Sequence, residues 1–197
     1  MLASNVVCAT QRTAKLDEAE VSGGAFLDEE TGPVDEYSDA ELEIIEQCRK
    51  QTVRHIGEVN RIIHWFAEKL IRRGIAHDKS KLQMPELAGF ALNGTRLSDL
   101  EYGSDEYYQN LKRLNGTLKH HYAMNPHHPE HFANGVSGMT LMEVSEMFCD
   151  WLAATRLNKN GDIYRSIEIC AKRFQLDPQL KQILINTARE FEKSAYL

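Results

Sequence analysis

Apolar residues in this chain recur at steps of three and four, and no stretch alternates apolar with polar in the manner of a strand. That spacing restricts the fold more than any other feature, because only a helix returns every third or fourth side chain to one face. Ser38-Asp39-Ala40-Glu41 has the S-x-x-E form of a capping box. It is followed by Leu42, Ile45, Val53, Ile56, Val59, Ile63, Phe66 and Leu70 as a predicted buried stripe. Arg72-Arg73-Gly74 reads as the basic last turn and glycine stop of this first long helix. Pro85 opens a brief helix, and Ser104 caps another whose stripe is Tyr107, Leu111, Leu114, Leu118 and His121, ended by Asn125-Pro126. Thr140 to Glu143 repeats the capping box before TLMEVSEMFCDWLAATRL, and two more helices follow, around IYRSIEICAKRF and from Asp177-Pro178 onward. The expectation is an all-α fold, a compact bundle of five to six helices over residues 38 to 197.

Residues 1 to 37 carry SGG, TGP and DEE, few large apolar side chains and no sustained period, so a flexible N-terminal segment is expected there. A formal charge of -6 argues against general adhesion to nucleic acid, since neutralising phosphates takes a basic surface. No run reaches the roughly 20 apolar residues needed to span a bilayer, and the N-terminus lacks the pattern of an export signal, so the expected setting is cytoplasmic. Cys8, Cys48, Cys149 and Cys170 lie far apart with no CxxC pair and are expected to be buried thiols rather than disulfides or zinc ligands.

The chemistry concentrates in HHYAMNPHHPEH, residues 120 to 131, which holds five of the eight histidines. His121 continues the inward stripe of its helix, whereas His120 is turned about 100° away and His127-His128 fall on the following loop. His55 is placed near the buried face of the first helix, and His77-Asp78 lie just past its end. Glu143, Glu146 and Asp150 share one side of a later helix, with Val144, Met147 and Trp151 as apolar neighbours of Asp150. Imidazole and carboxylate are the ligand set of zinc, iron, manganese and, with more oxygen, magnesium, so the cofactor expected is a divalent metal. Glu143, Glu146 or Glu130 could hold the imidazoles in place. The plain alternatives are an Asp78 that caps a helix, a solvated His127-His128 pair and an exposed Glu143/Glu146/Asp150 face.

The order H…HD…H…HH…D resembles the HD-domain superfamily of metal-dependent phosphohydrolases, which are all-helical. His55, His77, Asp78 and Asp150 match its four-ligand core, and His121 with His127-His128 resembles the extra histidines of members that carry two metals. More narrowly, HDKSK, NPHHPEH and EMxxDW, at 77 to 81, 125 to 131 and 146 to 151, look like an uncharacterised domain family of phage and bacterial proteins. The resemblance implies hydrolysis of a small phosphorylated substrate, with nucleotides as the substrate class, through a metal-activated water. Lys79, Lys81 or Arg61 would hold the phosphate, and Glu86 or Glu146 would act as general base. Two other readings stay open: a di-iron oxygenase on the same scaffold, and a non-catalytic helical interaction module with a structural metal. An HNH-type nuclease is disfavoured, because the segment before His121 reads as helix. Nothing in the sequence decides the oligomeric state.

Overall fold

The computed structural model describes residues 37 to 93, 100, 103 to 158 and 160 to 194, and among these it is all-α with no strand. Among the described residues seven α-helices run in chain order: α1 Asp39–Ala76, α2 Glu86–Asn93, α3 Asp105–Arg113, α4 Asn115–Met124, α5 Leu141–Leu157, α6 Ile163–Phe174 and α7 Pro178–Lys193. Three short 3-10 turns lie between them, at Lys79–Leu82, Pro129–His131 and Gly135–Gly138. The count exceeds the expected five to six because the segment after Ser104 is two helices, broken at the buried Leu114. The expected flexible segment lies, apart from Tyr37, outside the described residues. By contacts the chain divides into two units, Met1–Thr52 and Val53–Leu197. No described helix is long and apolar enough to cross a membrane.

The caps are formed by the residue types the sequence signals. Ser38 N–H and Oγ–H donate to Glu41 at 2.8 and 2.6 Å, Thr140 and Glu143 form the second capping box, and Ser104 Oγ accepts from Tyr107 N–H. Asp162 and Asp177 cap α6 and α7 in the same way.

The apolar core of the second unit is built by α5, α6 and α7. Phe148 and Leu152 from α5, Ile163 and Ile167 from α6, and Leu184 and Ala188 from α7 form one buried cluster, with Val144, Trp151, Tyr164 and Leu180 packed around it. Each of those buried aliphatic and aromatic side chains contributes roughly 1.5–3 kcal/mol of transfer free energy. The opposite side of α5 is thereby fixed and carries Glu143, Glu146 and Asp150. A second packing unit joins α2 to α4, with the 3-10 turn Lys79–Leu82 against both. Their approach is close at Gly89, where a Cβ would overlap the Thr117 side chain.

Two expectations are corrected. The predicted buried stripe of α1 is largely uncovered: Ile45, Val53, Ile56, Val59 and Ile63 are exposed, and Leu42, Phe66 and Leu70 are half-buried. Periodicity reports that a face is apolar, and α1 has no described neighbour along most of that face. The helix also runs through Gly74 to Ala76, since an interior glycine costs only about 1 kcal/mol and Arg73 is anchored to α5. Of the cysteines, Cys170 is a buried thiol, whereas Cys48 and Cys149 are exposed; Cys8 lies outside the described residues.

Candidate metal centre

The centre lies where the end of α1, the turn after it, α4 with its following loop, and the polar side of α5 meet. Asp78 is its pivot. At φ 56° and ψ 14° it sits in the left-handed region, which aspartate tolerates better than most residues, and this turns the chain sharply after α1. Asp78 stands at the N-cap position of the 3-10 turn, yet its side chain makes no cap bond. Its carboxylate points into the centre instead.

On one side, Asp78 Oδ1 faces His121 Nε2 at 3.4 Å and His127 Nε2 at 3.6 Å, and His128 Nε2 lies 2.9 Å from His121 Nε2. On the other side, His77 Nε2 is 3.5 Å from Asp78 Oδ2 and 3.6 Å from Asp150 Oδ1. Metal–ligand bonds of about 2.1 Å at tetrahedral to octahedral angles place neighbouring donor atoms roughly 3.0–3.4 Å apart, which is close to these separations. Three sets of donor atoms are therefore each close enough to hold one ion: Asp78/His121/His127/His128 and His77/Asp78/Asp150, which share Asp78, and His77/His127/Glu146.

The backs of the rings are held by carboxylates. Glu146 Oε1 accepts from His77 Nδ1 at 2.9 Å and lies 3.1 Å from His127 Nδ1, and Arg73 donates from Nε to Glu146 Oε2 at 2.7 Å and from Nη1 to Glu143 at 3.0 Å. Glu86, fully shielded from water, accepts from His121 Nδ1, His120 Nδ1 and Ser80 Oγ, at 2.8, 2.8 and 2.9 Å. Asn125 then donates to Ser80 Oγ and to the His121 carbonyl. A carboxylate only accepts, so each of these rings carries its proton on Nδ1, and His77, His121 and His127, when neutral, turn the Nε2 lone pair toward Asp78.

An ion fits this arrangement on two grounds. Asp78 Oδ1 and His127 Nε2 are buried with no hydrogen-bond partner, an expensive condition that a metal bond removes. Asp78 and Asp150 also face the same imidazole, that of His77, with Glu146 on its other nitrogen, and this concentration of carboxylates calls for positive charge. Part of that charge comes from Lys81, which donates from Nζ to Asp78 Oδ2 at 2.5 Å, and part from His77. Asp150 foremost, then Glu146, raise the His77 pKa to about 10 in the metal-free protein. Burial, and then the neighbouring His127 and His121, press His128 down to about 3, and burial also lowers His121. Glu146 is pushed up by burial but brought well below the ordinary carboxylate range by His127, His77 and Arg73. Burial pushes Asp150 up most, but the His77 contact together with the neighbouring His127, His128 and Lys81 brings it below its ordinary value.

Of the sequence-derived ligands, His77, Asp78, His121, His127, His128 and Asp150 come together. His55 does not: it is exposed on α1 and belongs to none of the donor sets. The periodicity that placed it near a buried face is real, but that face is uncovered. Glu86 and Glu146, read as general bases, have both carboxylate oxygens engaged by the rings, Ser80 or Arg73 and serve as anchors. Lys79 is exposed, and Arg61 pairs with Glu58 on the open surface of α1. His120 holds Glu86, His131 donates to the Tyr122 carbonyl, and Glu130 pairs with Arg173 rather than with any ligand. Arg73, Ser80 and Asn125 were missed as parts of the site. Arg73 lay within reach of inference, since it precedes His77 by one helical turn and so shares its face.

Fold and site thus define an all-α protein with a histidine- and carboxylate-lined candidate metal centre. The chain belongs to DUF5662, described as a family of unknown function, whose model matches residues 44–190. No curated protein and no solved structure matches it.

Proposed function

We propose that this protein is a metal-dependent phosphohydrolase that acts on a small phosphate ester of the nucleotide class. The observation that carries the metal part is the convergence of four imidazole Nε2 atoms and two aspartates around buried atoms without partners, with the Nδ1 side of three rings held by carboxylates. The hydrolytic part rests on the resemblance of H…HD…H…HH…D to the HD-domain superfamily. A divalent ion held there would acidify a bound water and neutralise phosphoryl oxygens. His77, Asp78 and Asp150 form the outer set; all three are partly exposed, and three protein ligands leave coordination positions for water and substrate. Lys81 beside Asp78 and the exposed Lys79 supply cations for the substrate phosphate at the rim.

One observation favours a second reading. Asp78, His121, His127 and His128 give four protein ligands, two of them fully buried, which is the closed arrangement of a structural ion. Elemental mass spectrometry of the purified protein, beside phosphate release from a nucleotide panel with manganese, iron, zinc or magnesium, separates the two. Phosphohydrolase function requires turnover that Asp150→Ala abolishes. One tightly held ion with no turnover under any metal would leave the structural reading, and oxygen-dependent turnover with bound iron would replace hydrolysis by oxygenation.

A further inference from the structure

We infer that the Val53–Leu70 face of α1 is the seam of a coiled coil formed with α1 of a second copy of this chain. Ile56, Val59, Ile63, Phe66 and Leu70 follow strict alternating steps of three and four, an average of 3.5 residues, which is the spacing that keeps one stripe facing a partner helix. Leu42 and Ile45 stand two heptads ahead of Ile56 and Val59 in the same register. Ile56 is 60%, Val59 40% and Ile63 59% exposed, and Val53 and Ile62 beside them are 58% and 42% exposed. A face about 26 Å long with this composition exceeds the scattered apolar exposure normal for a monomer and supplies the apolar centre of an interface burying roughly 800 Å² per partner.

The character of the face selects the occupant. A seam of 3.5-residue spacing is matched by another helix of the same spacing, and α1 itself is such a helix. Charges offer little handle for an oppositely charged partner: Arg61 pairs with Glu58 and Arg72 with Glu68 within α1, Val53, Asn60, Ile62 and Ala67 flank the seam without charge, and the one flanking cation, Lys69, lies over the Trp65 ring. Residues 1 to 36 have few large apolar side chains and no helical period with which to match it.

The test uses the full chain in sedimentation or light scattering, read beside far-UV circular dichroism. The expected mass is twice that of one chain at micromolar concentration, halving in an Ile56→Glu/Ile63→Glu variant of unchanged helix content. Ile71→Glu, at an equally exposed position off the seam, is the control and keeps the doubled mass. A full chain that is monomeric at tens of micromolar, including one whose own residues 1 to 36 cover the face, overturns the inference. So does loss of the doubled mass in Ile71→Glu to the same degree, since that would mark nonspecific adhesion. The outcome is independent of whether the centre binds metal or hydrolyses anything.

Discussion

His121 and His127 are each 1% exposed, while Ile56 and Ile63 on α1 are 60% and 59% exposed, so two regions of this molecule reverse the usual placement of polar and apolar side chains. The reversal has a different cost in each. A buried imidazole is sustained by what it bonds, and here Glu86 and Glu146 satisfy Nδ1 and leave Nε2 for an ion. An exposed isoleucine loses nothing in hydrogen bonding but forfeits transfer free energy that only a covering surface returns. Both regions therefore point to something bound: a cation at the centre and a helix along α1.

Breaking the centre should have the largest effect. Asp78→Asn keeps a residue tolerant of the left-handed backbone but removes the charge shared by two of the donor sets. Bound metal should fall more than about 100-fold, beyond the 10–100-fold typical of groups that only orient a ligand. Retention of stoichiometric metal by this variant, measured by elemental mass spectrometry, would refute the assignment of Asp78 as the shared ligand. Truncation in the two regions should then differ sharply. Ile167→Ala, in the wholly buried core, should cost about 2–5 kcal/mol of unfolding free energy. Ile56→Ala should cost within about 0.5 kcal/mol in dilute protein, where α1 is unpaired, and more as concentration rises. Equal and concentration-independent costs in denaturant titrations would erase the contrast.

Removing an anchor should do less than removing a ligand. Glu146→Gln leaves the ligands in place but weakens the hold on His77 and His127, and a 10–100-fold loss of metal affinity in competition with a chelator is expected. Acidity tests the same network in metal-free protein. His128 is depressed to about 3, so its neutral form stabilises the fold above pH 6.5, and that contribution is lost as pH falls from 6.5 toward 3. His77 is raised to about 10, so its contribution is fully present below pH 6.5 and is lost as pH rises through about 10. The melting temperature in chelator should peak near neutral pH and decline on both sides; a monotonic profile would show that these two groups do not govern it. The smallest effect is expected at the α5 cap, where Thr140→Ala should cost about 1 kcal/mol by thermal melting.

The helices and their starts were legible because they depend on neighbours in sequence. Ser38, Ser104, Thr140 and Asp177 bond within three residues, and steps of three and four define a face wherever the helix lies. The residue types of the centre were legible for the same local reason, since histidine and carboxylate in such density have few structural uses. What covers a face is a long-range property, which is why the α1 stripe read as buried, His55 read as inward, and the break at Leu114 went unread.

Local sequence was enough to establish an all-α chain, the positions of its caps and a set of imidazoles and carboxylates suited to a divalent ion. Which of them meet depended on how the helices pack. Packing placed Asp78 between two donor sets, turned Glu86 and Glu146 from candidate bases into anchors, brought in Arg73, and left His55 and the isoleucines of α1 in the open. Helix formation is written in contacts three and four residues apart. A coordination sphere is a matter of ångströms between side chains that lie tens of residues apart, and those distances exist only once the helices have packed.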